Sequence, residues 1–123
     1  MHVLLINGSP HEKGCTYTAL SLVAGELNAA DITTEILNVG TKPVGGCIGC
    51  GGCAKGNGCV FGGVVNEAIE KARTADAFVF GTPVHYASAS GNMTSFLDRL
   101  AYAGGKYLAY KPAAICASAR RAG

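Results

Sequence analysis

The sequence predicts an α/β fold in which a doubly wound parallel sheet carries helices on both faces. Short strand-like runs, the first three of them closed by glycine, alternate along the chain with segments whose apolar residues recur at helical spacing. Strands that alternate with helices form right-handed crossover units and a parallel sheet. With 123 residues, 49% of them hydrophobic, the chain is long enough for one domain with a buried core, and we expect residues 1–123 to form it.

The first half of the chain supplies two strands and a helix. Residues 3–6 form a continuous apolar run that ends at a Gly-Ser-Pro turn, which is typical of a strand buried on both faces. Residues 16–29 follow with apolar side chains at helical spacing, and residues 33–39 alternate well enough for a second strand. A loop rich in cysteine and glycine then covers residues 42–63.

The second half of the chain repeats the alternation. Residues 65–72 show helical periodicity, and residues 77–80 predict a third strand that ends at Gly-Thr-Pro, residues 81–83. Residues 93–100 place apolar side chains at i, i+3, i+4 and i+7, the pattern of a helix packed on a sheet. Residues 112–117 predict a fourth strand.

The predicted sheet lacks one strand and one helix of the five-stranded order 2-1-3-4-5. Residues 119–123 follow the fourth strand directly and read as a loop. We therefore expect the last strand and the closing helix to be absent from this sequence. Without them, the fourth strand is expected to present an exposed apolar edge that invites aggregation.

Composition excludes several functional classes. A net charge of +2 with a pI near 8.2 is too weak to indicate nucleic acid or a membrane surface as a partner. No stretch approaches the ~20 apolar residues of a transmembrane helix, and the first apolar run is too short for a signal peptide. In a chain expected to be cytoplasmic, six cysteines indicate metal ligands, redox groups or buried thiols.

A loop that joins the first strand to the first helix is a candidate phosphate site. It covers residues 7–18 and carries hydroxyls at Ser9, Thr16 and Thr18. A phosphate requires free backbone N–H groups, a helix N-terminus and short donors, all of which this segment offers. The loop matches neither a Walker A motif nor a G-x-G-x-x-G fingerprint. The alternative is a simple turn capped by serine or threonine.

Two further loops are predicted to emerge beside it. Residues 81–92 follow the third strand, next to the topological switch point of the sheet, where ligands bind. There Pro83 and the glycines allow backbone to lie along a planar ring that His85 and Tyr86 could flank; alternatively, both are ordinary surface or core residues. After the fourth strand, Arg120 and Arg121 either face a developing negative charge, such as that of a reduced flavin, or form a solvated basic turn.

Together these loops resemble the NADPH-dependent FMN reductase group of flavodoxin-like proteins. The matching stretches are Asn7-Gly8-Ser9-Pro10 with Gly14-Cys15-Thr16, Thr82-Pro83-Val84-His85-Tyr86, Gly91-Asn92-Met93 and Phe96-Leu97-Asp98-Arg99. The resemblance implies a flavodoxin-like fold that binds FMN, with the phosphate held by Ser9, His11, Thr16 and Thr18 and the isoalloxazine ring contacted by residues 83–86 and from Ser118 onward. The cofactor-binding residues it predicts are Ser9, His11, Cys15, Thr16, Tyr17, Thr18, Thr82, Pro83, Val84, His85, Tyr86, Ser118, Arg120 and Arg121. The chain has His11 and Cys15 where many members have arginine and asparagine, so phosphate binding is expected to depend more on backbone N–H groups and hydroxyls.

Four cysteines of the long loop form a compact C-x2-C-x2-C-x5-C motif, namely Cys47, Cys50, Cys53 and Cys59. Four thiolates suit a 4Fe-4S cluster or zinc, and three thiols within seven residues favour the cluster. The spacing resembles that of iron–sulfur flavoproteins; zinc, free thiols or a disulfide are the alternatives. Cys116 is interpreted as a small core residue, and Cys15 as a packed thiol or a reactive one near the phosphate loop.

Three functional hypotheses follow. The leading one, implied by the resemblance, is an FMN-dependent oxidoreductase that passes electrons from NAD(P)H to a quinone, flavin or azo compound, with no side-chain nucleophile required. The alternative is an iron–sulfur flavoprotein that carries electrons and has ferredoxin as its partner. A third is a zinc-stabilised binding module without flavin. The resemblance also implies a homo-oligomer, either a dimer or a tetramer.

Overall fold

The computed structural model describes residues 1–121, so Ala122 and Gly123, the end of the third predicted loop, lie outside it. Apart from one short strand that directly follows the third, its strands and helices alternate as the sequence predicts. In chain order they are β1 (His2–Asn7), α1 (Cys15–Ala29), β2 (Thr33–Asn38), α2 (Val64–Thr74), β3 (Ala77–His85), β4 (Ser88–Ala89), α3 (Gly91–Gly104) and β5 (Ala113–Ser118). Short 3-10 turns occur at Gly52–Lys55 and Gly105–Tyr107.

The sheet has the order β2-β1-β3-β5, with all four strands parallel. This confirms the predicted doubly wound fold, and β5 is the strand predicted as the fourth. The fifth parallel strand and closing helix of the order 2-1-3-4-5 stay a prediction, as does a single domain over residues 1–123. No helix among residues 1–121 is long and apolar enough to cross a membrane.

The core lies on both faces of the sheet because β1 is buried on both. Successive side chains of a strand point to opposite faces. Leu4 and Ile6 therefore pack with α2 and α3, while Val3 and Leu5 pack with α1. Cys116 of β5 is only half-buried and packs against the α1 layer, so it is not the core residue that the sequence predicts.

The third strand is longer than the sequence predicts, and its expected end at residues 81–83 is wrong. β3 continues to His85 and turns back at Tyr86 and Ala87 into β4. The carbonyl of Gly81 faces β1, where it accepts a hydrogen bond from the N–H of Gly8 at 2.8 Å. Pro83, two residues later, faces the same side beyond the end of β1, so its missing N–H breaks no ladder bond and the strand can continue.

Candidate functional site

The loop between β1 and α1 has its shape fixed by a buried asparagine. Asn7 ends β1, and its side-chain oxygen accepts a hydrogen bond from the N–H of Ser9 at 3.1 Å. Its amide nitrogen donates to Asn38 at the end of β2, at 2.8 Å, and to the carbonyl of Glu12, at 3.3 Å. Ser9, itself buried, accepts from the N–H of His11 at 3.1 Å. The loop is therefore an ordered turn held at the carboxyl edge of the sheet.

The N-terminus of α1 opens into this loop. The helix follows Gly14, and no side chain of the described residues caps it, so the N–H groups of its first turn remain available to a ligand. Thr16, buried in that first turn, shares a hydrogen bond of 2.8 Å with the hydroxyl of Ser118 at the end of β5. This contact joins the first loop to the third across 102 positions of sequence. An uncapped helix N-terminus beside two hydroxyls is suited to an anion.

The three predicted loops meet at one cleft of about 350 Å³, here called the three-loop cleft. It lies beyond the carboxyl ends of β1, β3 and β5, at the switch point of the sheet. The residues that line it are Ser9, His11, Cys15, Thr16, Pro83, Val84, His85, Ser118, Ala119 and Arg120. Every one of them except Ala119 is a predicted cofactor-binding residue. One end of the cleft offers hydroxyls and N–H groups, and the other offers Pro83, Val84 and an imidazole.

The remaining predicted residues, Tyr17, Thr18, Thr82, Tyr86 and Arg121, do not line this cleft. The hydroxyl of Thr18 donates to a carbonyl one turn back in its own helix. That of Thr82 accepts from the N–H of Ser90 at 3.0 Å and closes the hairpin. Tyr86 is fully exposed at the hairpin tip with a φ of 49°. Contact between these five side chains and a ligand stays a prediction.

Two residues that support the cleft were not among the predicted site residues. Ser90 caps α3 by accepting from the N–H of Met93 and donates its own hydroxyl proton to the carbonyl of Gly8 at 2.7 Å. Asn92 donates to the carbonyl of Gly40 at 2.9 Å and accepts from the N–H of Val44 at 3.1 Å. A serine directly before a helix start predicts a cap. The hydrogen bond from Ser90 to Gly8 cannot be predicted in this way, because the two residues lie far apart in the sequence.

The cysteine segment, residues 45–62, surrounds a second cavity of about 150 Å³, here called the cysteine cavity. All four cysteines of the motif line it, together with mainly apolar side chains. The N–H of Gly49 donates to the sulfur of Cys47 at 3.5 Å, and the thiol of Cys53 donates to the carbonyl of Tyr102 at 3.7 Å. Within residues 1–121, no three Cys, His, Asp or Glu side chains are placed so that they could hold a single metal ion. The structure thus gathers the four thiols around one space without showing a closed ligand set.

Cys59 is held more firmly than a loop residue usually is. The side chain of Asn66 in α2 accepts from its N–H at 2.8 Å and donates to its carbonyl at 2.9 Å. Burial raises the pKa of the Cys59 thiol, but hydrogen bonds from the backbone of Phe61 and from Arg99, with the Arg99 charge, more than offset it. The net effect is a pKa below the ordinary value near 9.0.

Arg99 of α3 lies at the centre of these contacts. It is 8% exposed, and its guanidinium donates to Cys59 Sγ at 3.2 Å, to the carbonyl of Gly45 at 3.3 Å and to that of Gly62 at 2.9 Å. Arg99 was not among the predicted site residues. The available signal was its place between Phe96 and Leu100 on the apolar face of a helix, where a charged side chain requires a partner.

Comparisons with known proteins identify a family for this chain. The family model for NADPH-dependent FMN reductase matches residues 1–123. An iron-sulfur flavoprotein of Archaeoglobus fulgidus is 32% identical over 99 residues, which are 80% of this chain and 48% of that protein. One of Methanocaldococcus jannaschii is 29% identical over 99 residues, 80% of this chain and 51% of that protein. The chain spans about half the length of these curated relatives.

Solved structures are similar in fold. An NAD(P)H:quinone oxidoreductase from Methanothermobacter marburgensis superposes with a TM-score of 0.76 at 20% identity, over 99% of this chain and 65% of that one. An NADH:FMN oxidoreductase in its apo form gives a TM-score of 0.71 at 21% identity, over 98% of this chain and 59% of that one. At these identities the likeness concerns the fold alone.

Proposed function

The chain belongs to the NADPH-dependent FMN reductase family, and from that premise we propose that it binds FMN in the three-loop cleft and acts as an NAD(P)H-dependent oxidoreductase. The observation that carries this proposal is the convergence of three separate loops on one cleft at the switch point of the sheet. The electron acceptor would be a small molecule such as a quinone, a free flavin or an azo compound.

The residues of the cleft fit FMN at both of its ends. The uncapped start of α1 and the hydroxyls of Ser9 and Thr16 suit the phosphate. Pro83 and Val84 offer a flat apolar surface for the ring, and Arg120 supplies a positive charge in the same cleft. When bound, FMN supplies the redox chemistry; the protein orients it and excludes competing reactions.

Further features of the proposal rest on the family and on composition. Both NADH and NADPH are proposed as electron donors. A cytoplasmic location, which the sequence predicts, stays part of the proposal. A homo-oligomer, dimer or tetramer, stays part of the proposal on the resemblance alone.

FMN titration of the full chain tests the binding site. Removing the Thr16 hydroxyl in Thr16→Val deletes one donor to a charged phosphate, a loss of roughly 1.5 kcal/mol, so the Kd should rise roughly tenfold. Thr74→Val, which removes an exposed hydroxyl at the end of α2, is the matched control and should leave the Kd unchanged. Equal affinities for the two variants would contradict the assignment of the cleft.

Rapid mixing of the FMN-loaded protein with NADPH, and separately with NADH, tests the activity. Loss of the visible flavin absorbance with either nucleotide is expected. Flavin that stays oxidised with both would exclude the reductase function while leaving FMN binding intact.

The cysteine cavity favours a second candidate function. All four cysteines line one cavity. The sulfur of Cys47 accepts a hydrogen bond from a backbone N–H, and the sulfur of Cys59 accepts one from the guanidinium of Arg99. Four thiolates with N–H donors to sulfur match the ligation of a 4Fe-4S cluster. We therefore also propose that the chain holds such a cluster and carries electrons, with a ferredoxin as partner.

Anaerobic purification followed by iron and acid-labile sulfide analysis tests the cluster. About four irons and four sulfides per chain are expected, together with their loss in Cys59→Ser. Cys116→Ser changes a cysteine of β5 outside the cavity and serves as the control. Flavin without iron would leave only the reductase, and stoichiometric zinc without flavin would instead support a zinc-stabilised module.

A further inference from the structure

Arg99 is a buried cation whose partners are unusual. Within the described residues it forms no ion pair with a carboxylate, and its three hydrogen bonds go to two backbone carbonyls and one sulfur. A buried charge is normally paired or fully hydrogen-bonded. Among the described residues, Arg99 thus has no carboxylate to balance its charge, and its one side-chain acceptor is a sulfur that lines the cysteine cavity.

The three acceptors enclose the cysteine segment. Gly45 precedes the first cysteine of the motif by two positions, and Gly62 follows the last by three. Nε contacts the last cysteine itself. One planar guanidinium thus holds both ends of an 18-residue segment, residues 45–62, and the sulfur beside them. Lysine has one nitrogen and no fork, so it could not reproduce the three contacts.

We propose that Arg99 is the positioning residue of the cysteine cavity: it fastens both ends of the cysteine segment to α3 and faces a bound iron–sulfur cluster with a positive charge. The positioning part rests on the geometry alone, and the cluster part rests on the second candidate function. Asn66 holds Cys59 independently through its backbone, so loss of Arg99 should loosen the segment without releasing it completely.

Limited trypsin digestion measures the positioning part in protein without a cluster. Lys55 lies exposed within the segment, and cleavage there requires the segment to open. Arg99→Gln should accelerate that cleavage severalfold, and Arg99→Lys should give an intermediate rate. Arg73→Gln, which removes an exposed arginine from α2, should match the wild type. Cleavage of Arg99→Gln at the wild-type rate would overturn the positioning role.

Cluster content and midpoint potential measure the electrostatic part. A reduced cluster carries one more negative charge than an oxidised one, and a nearby cation favours the reduced form. Arg99→Gln should lose at least half of its iron and sulfide, and its remaining cluster should have a more negative potential. Arg99→Lys should keep a potential close to that of the wild type, which a purely structural role would not produce. A wild-type potential in Arg99→Gln would overturn this part.

The outcomes separate this inference from the proposed function. FMN binding should be equal in all four proteins, because the three-loop cleft does not include Arg99. If the wild type binds FMN but takes up no iron under reconstitution, the cluster is excluded, and so is the electrostatic role of Arg99 toward it. The trypsin experiment then still decides whether Arg99 holds the segment.

Discussion

Gly40→Ala is the substitution that most directly tests how the three-loop cleft is held. Gly40 follows β2 by two residues and crosses the first loop at very close range. A Cβ at this position would lie 2.5 Å from the carbonyl carbon of Gly8 and closer still to the carbonyl oxygens of Gly8 and Ser9. The φ of Gly40 is outside the left-handed region, so the penalty comes from this contact and not from backbone strain.

The size of the effect follows from how little the neighbours can yield. An ordinary Cβ contact begins near 3.4 Å, so the first loop would have to move by about 1 Å. It is held by hydrogen bonds from Gly8 N–H to the carbonyl of Gly81, at 2.8 Å, and from the Ser90 hydroxyl to the carbonyl of Gly8, at 2.7 Å. Overpacking of this kind costs about 1–3 kcal/mol. Because Ser9 moves with the loop, FMN binding should weaken at least ~10-fold.

Thermal unfolding of the protein without flavin and FMN titration measure the two effects. Gly25→Ala is the matched control, because Gly25 is exposed within α1 and a Cβ there meets nothing within 4 Å. It should raise stability by about 1 kcal/mol through helix propensity alone and leave FMN binding unchanged. If Gly40→Ala instead unfolds at the wild-type temperature and binds FMN equally well, the close crossing does not constrain the cleft.

Three further substitutions test other parts of the structure. Ser90→Ala removes the cap of α3 and its bond to Gly8, so unfolding should become easier by about 2 kcal/mol; no loss would refute the cap. Ala87→Gly relieves a left-handed residue with a φ of 64° and should stabilise by roughly 0.5–1 kcal/mol; destabilisation would refute the strain. A hydrogen bond with Glu35 raises the pKa of Lys71 above its usual 10.5. The stabilisation that this pair gives to the folded protein is therefore complete below pH 10.5 and declines as the pH rises through the higher pKa of the folded state. Lys71→Met should flatten this alkaline decline, and an unchanged slope would exclude the pair as its cause.

The sheet could be predicted because its strands have a pattern that permits little else. A continuous apolar run such as β1 must be covered on both faces, and alternating helices provide that cover. The end of β3 was misplaced because Gly81, Thr82 and Pro83 form a strong turn signal in isolation. Whether a strand can include these residues depends on which neighbouring strand each of their backbone groups faces. That is set by the tertiary structure and cannot be read from the local sequence.

The residues of the two candidate sites also differ in how far the local sequence predicts them. The lining of the three-loop cleft was largely predicted, because the carboxyl ends of parallel strands meet at one edge and carry their loops with them. The role of Arg99 was not, since its partners lie 37 to 54 positions away in the sequence. Asn66 reaches Cys59 over only seven positions, but it does so across an irregular segment whose path no periodicity describes.

Both candidate sites depend on α3. At its start, Ser90 holds the first loop of the three-loop cleft, and Asn92 holds the chain that leads into the cysteine segment. Arg99 holds the cysteine segment itself, nine positions after Ser90 and thus about 14 Å further along the helix axis. A helix is rigid over that length, so the relative placement of the two sites is fixed by one element. Loosening the start of α3 should therefore disturb both sites, whereas loss of Arg99 should disturb only the cysteine cavity.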